Sequence, residues 1–209
     1  TMTREWLIER FGDPRQRRAA TGSRGMARSD RGDHDLNPGT GPASRLTPAA
    51  VLIPIVDRAE GMTVLMTRRT DHLASHAGQI SFPGGHVEPG DGSPEEAALR
   101  ETEEEVGLAR DRIHLLGRLD AYVTGTGFDI TPVVGVVETP FEIDPDPHEV
   151  AEVFEVPLGF LLDPANHQRT SRRFGGEHHF FYAMPYDDYY IWGATAGMVV
   201  NLYELLMRP

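Results

Sequence analysis

The chain has 209 residues, enough for one domain with a sizeable core. It contains no cysteine, which excludes disulfides, thiolate catalysis and cysteine-ligated zinc, and all 20 basic residues are arginine, which excludes a lysine nucleophile. A formal net charge of −12 argues against a nucleic-acid partner but not against a phosphate substrate, because a bound metal ion inverts the local field.

In chain order, residues 5–11 have the pattern of a short helix. Up to Arg45, nine arginines stand against six acidic residues amid Gly, Ala, Ser and Pro. This composition predicts an N-terminal arm over residues 1–47, extended or partly disordered, laid over the body or a partner subunit. Residues 48–209 are then the folded domain. Residues 50–56 read as a strand and 62–67 as its hairpin partner, with Pro54 marking an edge or a bulge. No charged-then-apolar leader and no run of 18 apolar residues occurs, so a cytoplasmic location and no membrane contact are expected.

The chemistry concentrates in residues 82–108, FPGGHVEPGDGSPEEAALRETEEEVGL. A glycine turn precedes Ser93-Pro94-Glu95-Glu96, which has the form of a capping box with proline at the first helical position. The helix ends at Gly107. At about 100° per residue, Glu101, Glu104 and Glu105 fall on one arc, Glu103 points nearly the opposite way, and Ala98, Leu99, Thr102 and Val106 form a separate stripe that packs on a core. Glu96–Arg100 and Arg100–Glu104 are candidate ion pairs along the helix. A solvated acidic face is the plain reading of such a charge run. Carboxylates crowded on one arc repel, however, and Mg²⁺ or Mn²⁺ reverses that repulsion, taking hard oxygen ligands and phosphate oxygens besides.

Beyond the helix, residues 113–119 and 130–137 read as strands, and Gly125-Thr126-Gly127 as a turn because nothing helical follows it. An Asp- and Pro-rich loop over 140–148 delivers Glu149, with Glu152 and Glu155 close behind. Arg169, Arg172 and Arg173 are candidates for phosphate contact. His178 and His179 fall to opposite faces if their segment is a strand, and so do not share a metal ion. Residues 194–207 form a final helix with apolar positions Met198, Leu202 and Leu205.

The helix tail Arg100-Glu101-Thr102-Glu103-Glu104-Glu105-Val106-Gly107-Leu108 resembles the Nudix hydrolase signature R-E-U-x-E-E-x-G-U, where U is aliphatic. Thr102 stands where an aliphatic residue is usual, and Asp91 where a glutamate is usual, in a turn one residue longer than the commonest spacing. Upstream, Leu65-Met66-Thr67-Arg68-Arg69 with Gly78, Phe82, Pro83, Gly84 and Gly85 resembles the coenzyme A pyrophosphatase branch of that family. Met66 and Thr70 depart mildly from the branch pattern, and Ala74 replaces its arginine. Thr131-Pro132-Val133-Val134-Gly135 and the Trp-Gly-x-Thr-Ala entry to the last helix resemble the same branch.

The resemblance covers roughly residues 48–207 and implies an α/β/α sandwich around a mixed β-sheet, preceded by an N-terminal extension. It implies Mg²⁺ or Mn²⁺ held by Glu101, Glu104 and Glu105 with the Gly85 carbonyl, Arg100 orienting the glutamates, and Arg69, Gly84 and Gly85 at the substrate. Glu149 matches a further acid, as general base or extra ligand. The implied partner is a small molecule with a pyrophosphate linkage: coenzyme A or a derivative, cut to 3′,5′-ADP and 4′-phosphopantetheine. The alternatives are the same reaction on ADP-ribose, NADH or another nucleoside diphosphate derivative, and a Nudix-fold ligand sensor without turnover. A homodimer is left open.

Overall fold

The computed structural model describes residues 1–12, 31–38, 45–73 and 77–207. Two strands form its centre. β2 (Thr47–Val56) and β8 (Phe128–Val137) run parallel in unbroken register from Thr47↔Phe128 to Val56↔Val137. β-branched and aliphatic residues on both dictate burial on both faces. Along β2, Ala50, Leu52 and Val56 face one layer while Ile53 and Ile55 face the other, and Leu52, Ile53 and Ile55 are wholly buried. Each such side chain contributes about 1.5–3 kcal/mol by leaving water.

On its other side β2 meets two partners in turn. β3 (Thr63–Arg69) pairs with it only at Ile55↔Val64 and Val56↔Thr63 and then diverges, while its far edge pairs along its length with β9 (Val150–Pro157). β5 (Gly84–His86) takes the vacated side at Ala49, Ala50 and Val51. The sheet therefore forks, and the loop ahead of β5 fills the fork, with the Leu52 N–H donating to the Pro83 carbonyl at 2.8 Å. This corrects the expectation for Pro54, which lies in an interior strand. By strand alternation its nitrogen faces the same side as that of Leu52, into the fork, where the β5 and β3 ladders leave a gap and no N–H is required.

The rest of the large sheet comprises β4 (Ile80–Ser81) on β3, β6 (Ile113–Arg118) and β7 (Tyr122–Val123) on β8, and β1 (Arg31–Gly32) parallel to β7. Residues 124–128 make the expected turn into β8, with the Gly127 N–H on the Thr124 carbonyl at 3.1 Å. Helix α2 (Pro94–Val106) covers the face of Ala50 and Leu52. The opposite face is covered by α1 (Arg4–Gly12) and α4 (Ala194–Met207), with the short α3 (Leu158–Leu161) beside them. The result is the α/β/α sandwich on a mixed sheet.

Leu7 of α1 is fully buried and Phe11 nearly so, in the same cluster as Ile53. That helix is a layer of the core, not part of an extended arm. Residues 31–37 are likewise tied down. Arg31 donates to Asn201 at 2.8 Å and pairs with Glu204 and Asp120. Asp33 accepts from the Tyr122 hydroxyl at 2.8 Å and the Gly125 N–H at 2.6 Å. The Asn37 amide brackets the backbone of Phe180, donating at 2.9 Å and accepting at 2.7 Å.

A second sheet is made of β10 (Gln168–Phe174), β11 (Glu177–Tyr186) and β12 (Tyr189–Trp192). His178 and His179 do lie in a strand, and so on opposite faces. Arg169 lies over the ring of Phe180 at 5.0 Å and Arg172 over Trp192 at 5.4 Å, so both are engaged by aromatic faces. Among the described residues no helix is long and apolar enough to cross a membrane.

Candidate active site

The glutamate helix is set by local signals. Ser93 accepts from the Glu96 N–H at 3.2 Å, Pro94 opens the first turn, and Gly107 closes the helix in the left-handed region at φ 70°, donating to the Glu103 carbonyl at 3.0 Å. Ala97, Ala98, Leu99, Thr102 and Val106 are buried beneath it. Thr102 tolerates an apolar position because its hydroxyl donates to the Ala98 carbonyl at 2.7 Å.

This packing turns Glu105 inward, where it is only 4 % exposed. Burial pushes its carboxyl up to about 8, and the nearby charges of Glu101 and Glu149 add to the shift. Arg69 and the backbone N–H of Gly84 offset part of it. Glu101, one turn earlier, is also raised by burial, with Arg100 opposing and Glu104 and Glu149 reinforcing. The glycine turn makes the space. A Cβ on Gly85 would lie 2.6 Å from Cδ of Glu101, and one on Gly84 would lie 2.3 Å from the Ala50 carbonyl oxygen. Gly85 thus admits the carboxylate and Gly84 admits the strand.

Arg100 is fixed from several sides. Its Nε and Nη2 donate to Asp91 Oδ1 and Oδ2, each at 2.9 Å, and Nη1 donates to Glu101 at 3.0 Å and Glu104 at 3.2 Å. Nη2 also reaches the His86 carbonyl at 3.2 Å. The guanidinium holds Asp91 well below the usual carboxylate range, at about 2. Glu96 turns instead to Arg110 at 3.0 Å, and Glu103 joins the same arginine at 3.0 Å, so the expected Glu96–Arg100 pair is replaced.

The acids after the 140–148 loop separate cleanly. Glu152 is engaged by Arg68 at 3.0 Å and by the Tyr189 hydroxyl, and Glu155 by Arg58 at 2.6 Å and by Thr63. Glu149 instead stands within electrostatic reach of both Glu101 and Glu105.

The NUDIX domain description matches residues 46–190. The chain belongs to the Nudix hydrolase family. The uncharacterised Nudix hydrolase NudL of Yersinia enterocolitica is 44% identical over 156 residues, covering 75% of this chain and 80% of that protein. NudL of Yersinia pestis is 42% identical over the same length, covering 75% and 78%. Among solved structures, the Nudix hydrolase RenU of M. smegmatis aligns with 22% identity and a TM-score of 0.49, covering 61% of this chain and 81% of that one. The C. elegans Ap4A hydrolase aligns with 21% identity and a TM-score of 0.46, covering 55% and 82%.

The Nudix helix, glycine turn and β9 entrance bring Glu101, Glu105, Glu149, Arg69, Gly84 and Gly85 to one place. Glu104 stays at the rim, its side chain 59% exposed and paired with Arg100. Among the described residues no three acidic or histidine side chains stand close enough to enclose an ion. The donor set still suits a hard divalent cation: the buried Glu105 and the half-buried Glu101, both raised chiefly by desolvation, a third carboxyl group at Glu149, and the glycine turn beside them. Such ions keep waters and take phosphate oxygens, so an incomplete protein shell fits them. Ala74 lies outside the described residues. The partnership of Asp91 with Arg100 escapes sequence reasoning, which sees only an acid in a lengthened turn.

Proposed function

We propose that this Nudix hydrolase is a Mg²⁺- or Mn²⁺-dependent pyrophosphohydrolase that cleaves coenzyme A or its derivatives to 3′,5′-ADP and 4′-phosphopantetheine. The observation that carries the metal-dependent chemistry is the pairing of buried Glu105 with half-buried Glu101 at the glycine turn, both with raised proton affinity. The substrate assignment is supported by the match of Arg69, Gly78 and Phe82–Gly85 to the coenzyme A pyrophosphatase branch.

Glu101 and Glu105 would hold the ion, with Glu104 and the Gly85 carbonyl as outer candidates. When bound, the ion supplies neutralisation of phosphate charge and a more acidic water. Arg100, clamped by Asp91, keeps Glu101 oriented. Arg69 contributes positive charge beside Glu105 and binds substrate phosphate. Glu149 faces the pair, either taking the proton of the attacking water or adding a ligand. Water adds to one phosphorus, the bridging oxygen leaves with the other, and two phosphate esters result. Positioning and charge stabilisation do most of this chemistry.

Incubation with coenzyme A, ADP-ribose and NADH, each with Mg²⁺ and with Mn²⁺, tests the reading. Release of 3′,5′-ADP fastest from coenzyme A is the expected result. Faster AMP release from ADP-ribose or NADH moves the substrate to a nucleoside diphosphate derivative, the reading that Ala74 favours by removing the branch arginine. No turnover of any of the three, with metal bound, moves the sensor reading to the front.

A further inference from the structure

We infer that Thr70 is a positioning residue for Glu149, acting through the carbonyls of His148 and Glu149, which flank the Glu149 Cα. The inference rests on the proposed role of Glu149 and adds the side chain that aims it. The regular pairing of β3 with β9 slips between Arg68 and Arg69, after which Arg69 faces Val150. Such a slip re-aims side chains at a strand end. Thr70 stands just beyond it and is 7% exposed. Its N–H donates to the Glu149 carbonyl at 3.0 Å and its hydroxyl to the His148 carbonyl at 2.8 Å. One residue therefore fixes two consecutive carbonyls.

The amides of the same segment are held from the other side. Asp146 accepts from the N–H groups of Glu149 at 3.2 Å and Val150 at 2.8 Å through its carbonyl, and from that of His148 at 2.9 Å through its carboxylate. The ring of His72 adds a tilted contact with that of His148, centroids 5.6 Å apart. With its backbone braced on both sides, Glu149 is left with side-chain rotation alone. Thr70 also follows Arg69 directly, so a single stretch holds Arg69 and Glu149 in one frame around Glu105. Valine would fill the same volume as Thr70 but would leave the His148 carbonyl without its hydroxyl partner, and serine would keep the donor.

The test compares Thr70→Val, Thr70→Ser, Glu149→Gln and the Thr70→Val/Glu149→Gln double variant, reading kcat, KM and the dissociation constant of Mn²⁺ alone by titration calorimetry. Glu149→Gln identifies which parameter Glu149 governs, kcat or Mn²⁺ affinity. Thr70→Val is expected to weaken that same parameter roughly tenfold with KM within threefold, Thr70→Ser to recover most of it, and Thr70→Val to add less than twofold in the Glu149→Gln background. Equal losses from Thr70→Val in both backgrounds, or full activity and Mn²⁺ affinity in the Thr70→Val single variant while Glu149→Gln is crippled, overturn the positioning role alone. A fully active Glu149→Gln with unchanged Mn²⁺ binding overturns the role of Glu149 and the inference with it. Should Thr70→Val unfold, Thr70→Ser against Thr70→Ala at a temperature where both are folded gives the same comparison.

Discussion

Arg100 and Asp91 meet through two parallel hydrogen bonds of 2.9 Å, so the turn ahead of the glutamate helix and the helix itself share one bidentate ion pair. The same guanidinium reaches Glu101, and the orientation of that carboxylate therefore depends on an acid outside the helix. Asp91→Asn is expected to lower kcat about tenfold and the thermal midpoint by a few degrees, because the Asp91 side chain is only 6% exposed and an amide cannot accept from both guanidinium nitrogens. Steady-state kinetics together with thermal unfolding check it; an unaltered kcat would show that Arg100 needs no anchor.

The two glycines of the turn fail differently when substituted. Gly85→Ala drives a methyl into the Glu101 carboxylate, whereas Gly84→Ala drives one into the backbone of β2. The first is expected to abolish most activity, by 100-fold or more on the order of a misplaced ligand, with a small change in stability. The second is expected to cost about 1–3 kcal/mol of stability besides activity. Denaturant unfolding and kcat measured on both variants separate the two effects.

The pH dependence of the metal-free protein follows from Glu105. Its carboxyl rises from the ordinary 4.5 to about 8 on folding, so the folded state holds the proton more tightly than the unfolded chain does. That contribution to stability is complete below about pH 4.5 and drains away as pH rises to about 8, at no more than about 1.4 kcal/mol per pH unit from this group. Glu101 shifts in the same direction. Melting in chelator should therefore fall from pH 5 to pH 8, and Glu105→Gln should flatten the slope. A divalent ion binds the ionised form, so Mn²⁺ affinity should climb over the same range.

Glu105→Gln keeps the shape and removes the charge. Turnover is expected to fall by about 10²–10³ with Mg²⁺ or Mn²⁺, while the metal-free variant is as stable as the parent at neutral pH, or more so, because folding no longer has to protonate a carboxylate that is ionised in the unfolded chain. Activity at the parent level would discard Glu105 as a metal ligand.

Leu7 tests whether the N-terminal helix belongs to the core. Leu7→Ala is expected to cost about 2–4 kcal/mol in denaturant unfolding, the range for a fully buried leucine, and a value near zero would return residues 1–12 to the status of an arm.

Much of the central unit is legible in the sequence because its signals are local. Ser93, Pro94 and Gly107 mark the ends of α2, alternating aliphatics mark β2, β3 and β8, and the final helix follows from Met198, Leu202 and Leu205. What escapes is settled by competition at a distance. The fork exists because β5 takes the edge of β2, and β4 the edge of β3, that a simple β2–β3 hairpin would have filled, and no residue of β3 announces that choice. Arginine-rich composition hides Leu7 and Phe11, two apolar residues whose partners lie on β6 and α4. Glu149 is hard to tell from Glu152 and Glu155 in sequence, since only the cross-strand arginines and hydroxyls show which acids are already engaged.

The parallel pairing of β2 with β8 also bears on the order in which the protein can be made. Everything that shapes the reaction centre except Glu149, namely Arg69, the glycine turn and the glutamate helix, is threaded between those two strands. Parallel strands so far apart in sequence close slowly, because a long loop must be gathered before the first contact is rewarded. On the ribosome, β2 remains without its main neighbour until residue 137 has emerged, and Glu149 arrives only later with β9. Newly made chains should pass through a window in which an apolar β2 is exposed, and it is there, rather than in the finished molecule, that a chaperone would have most to protect.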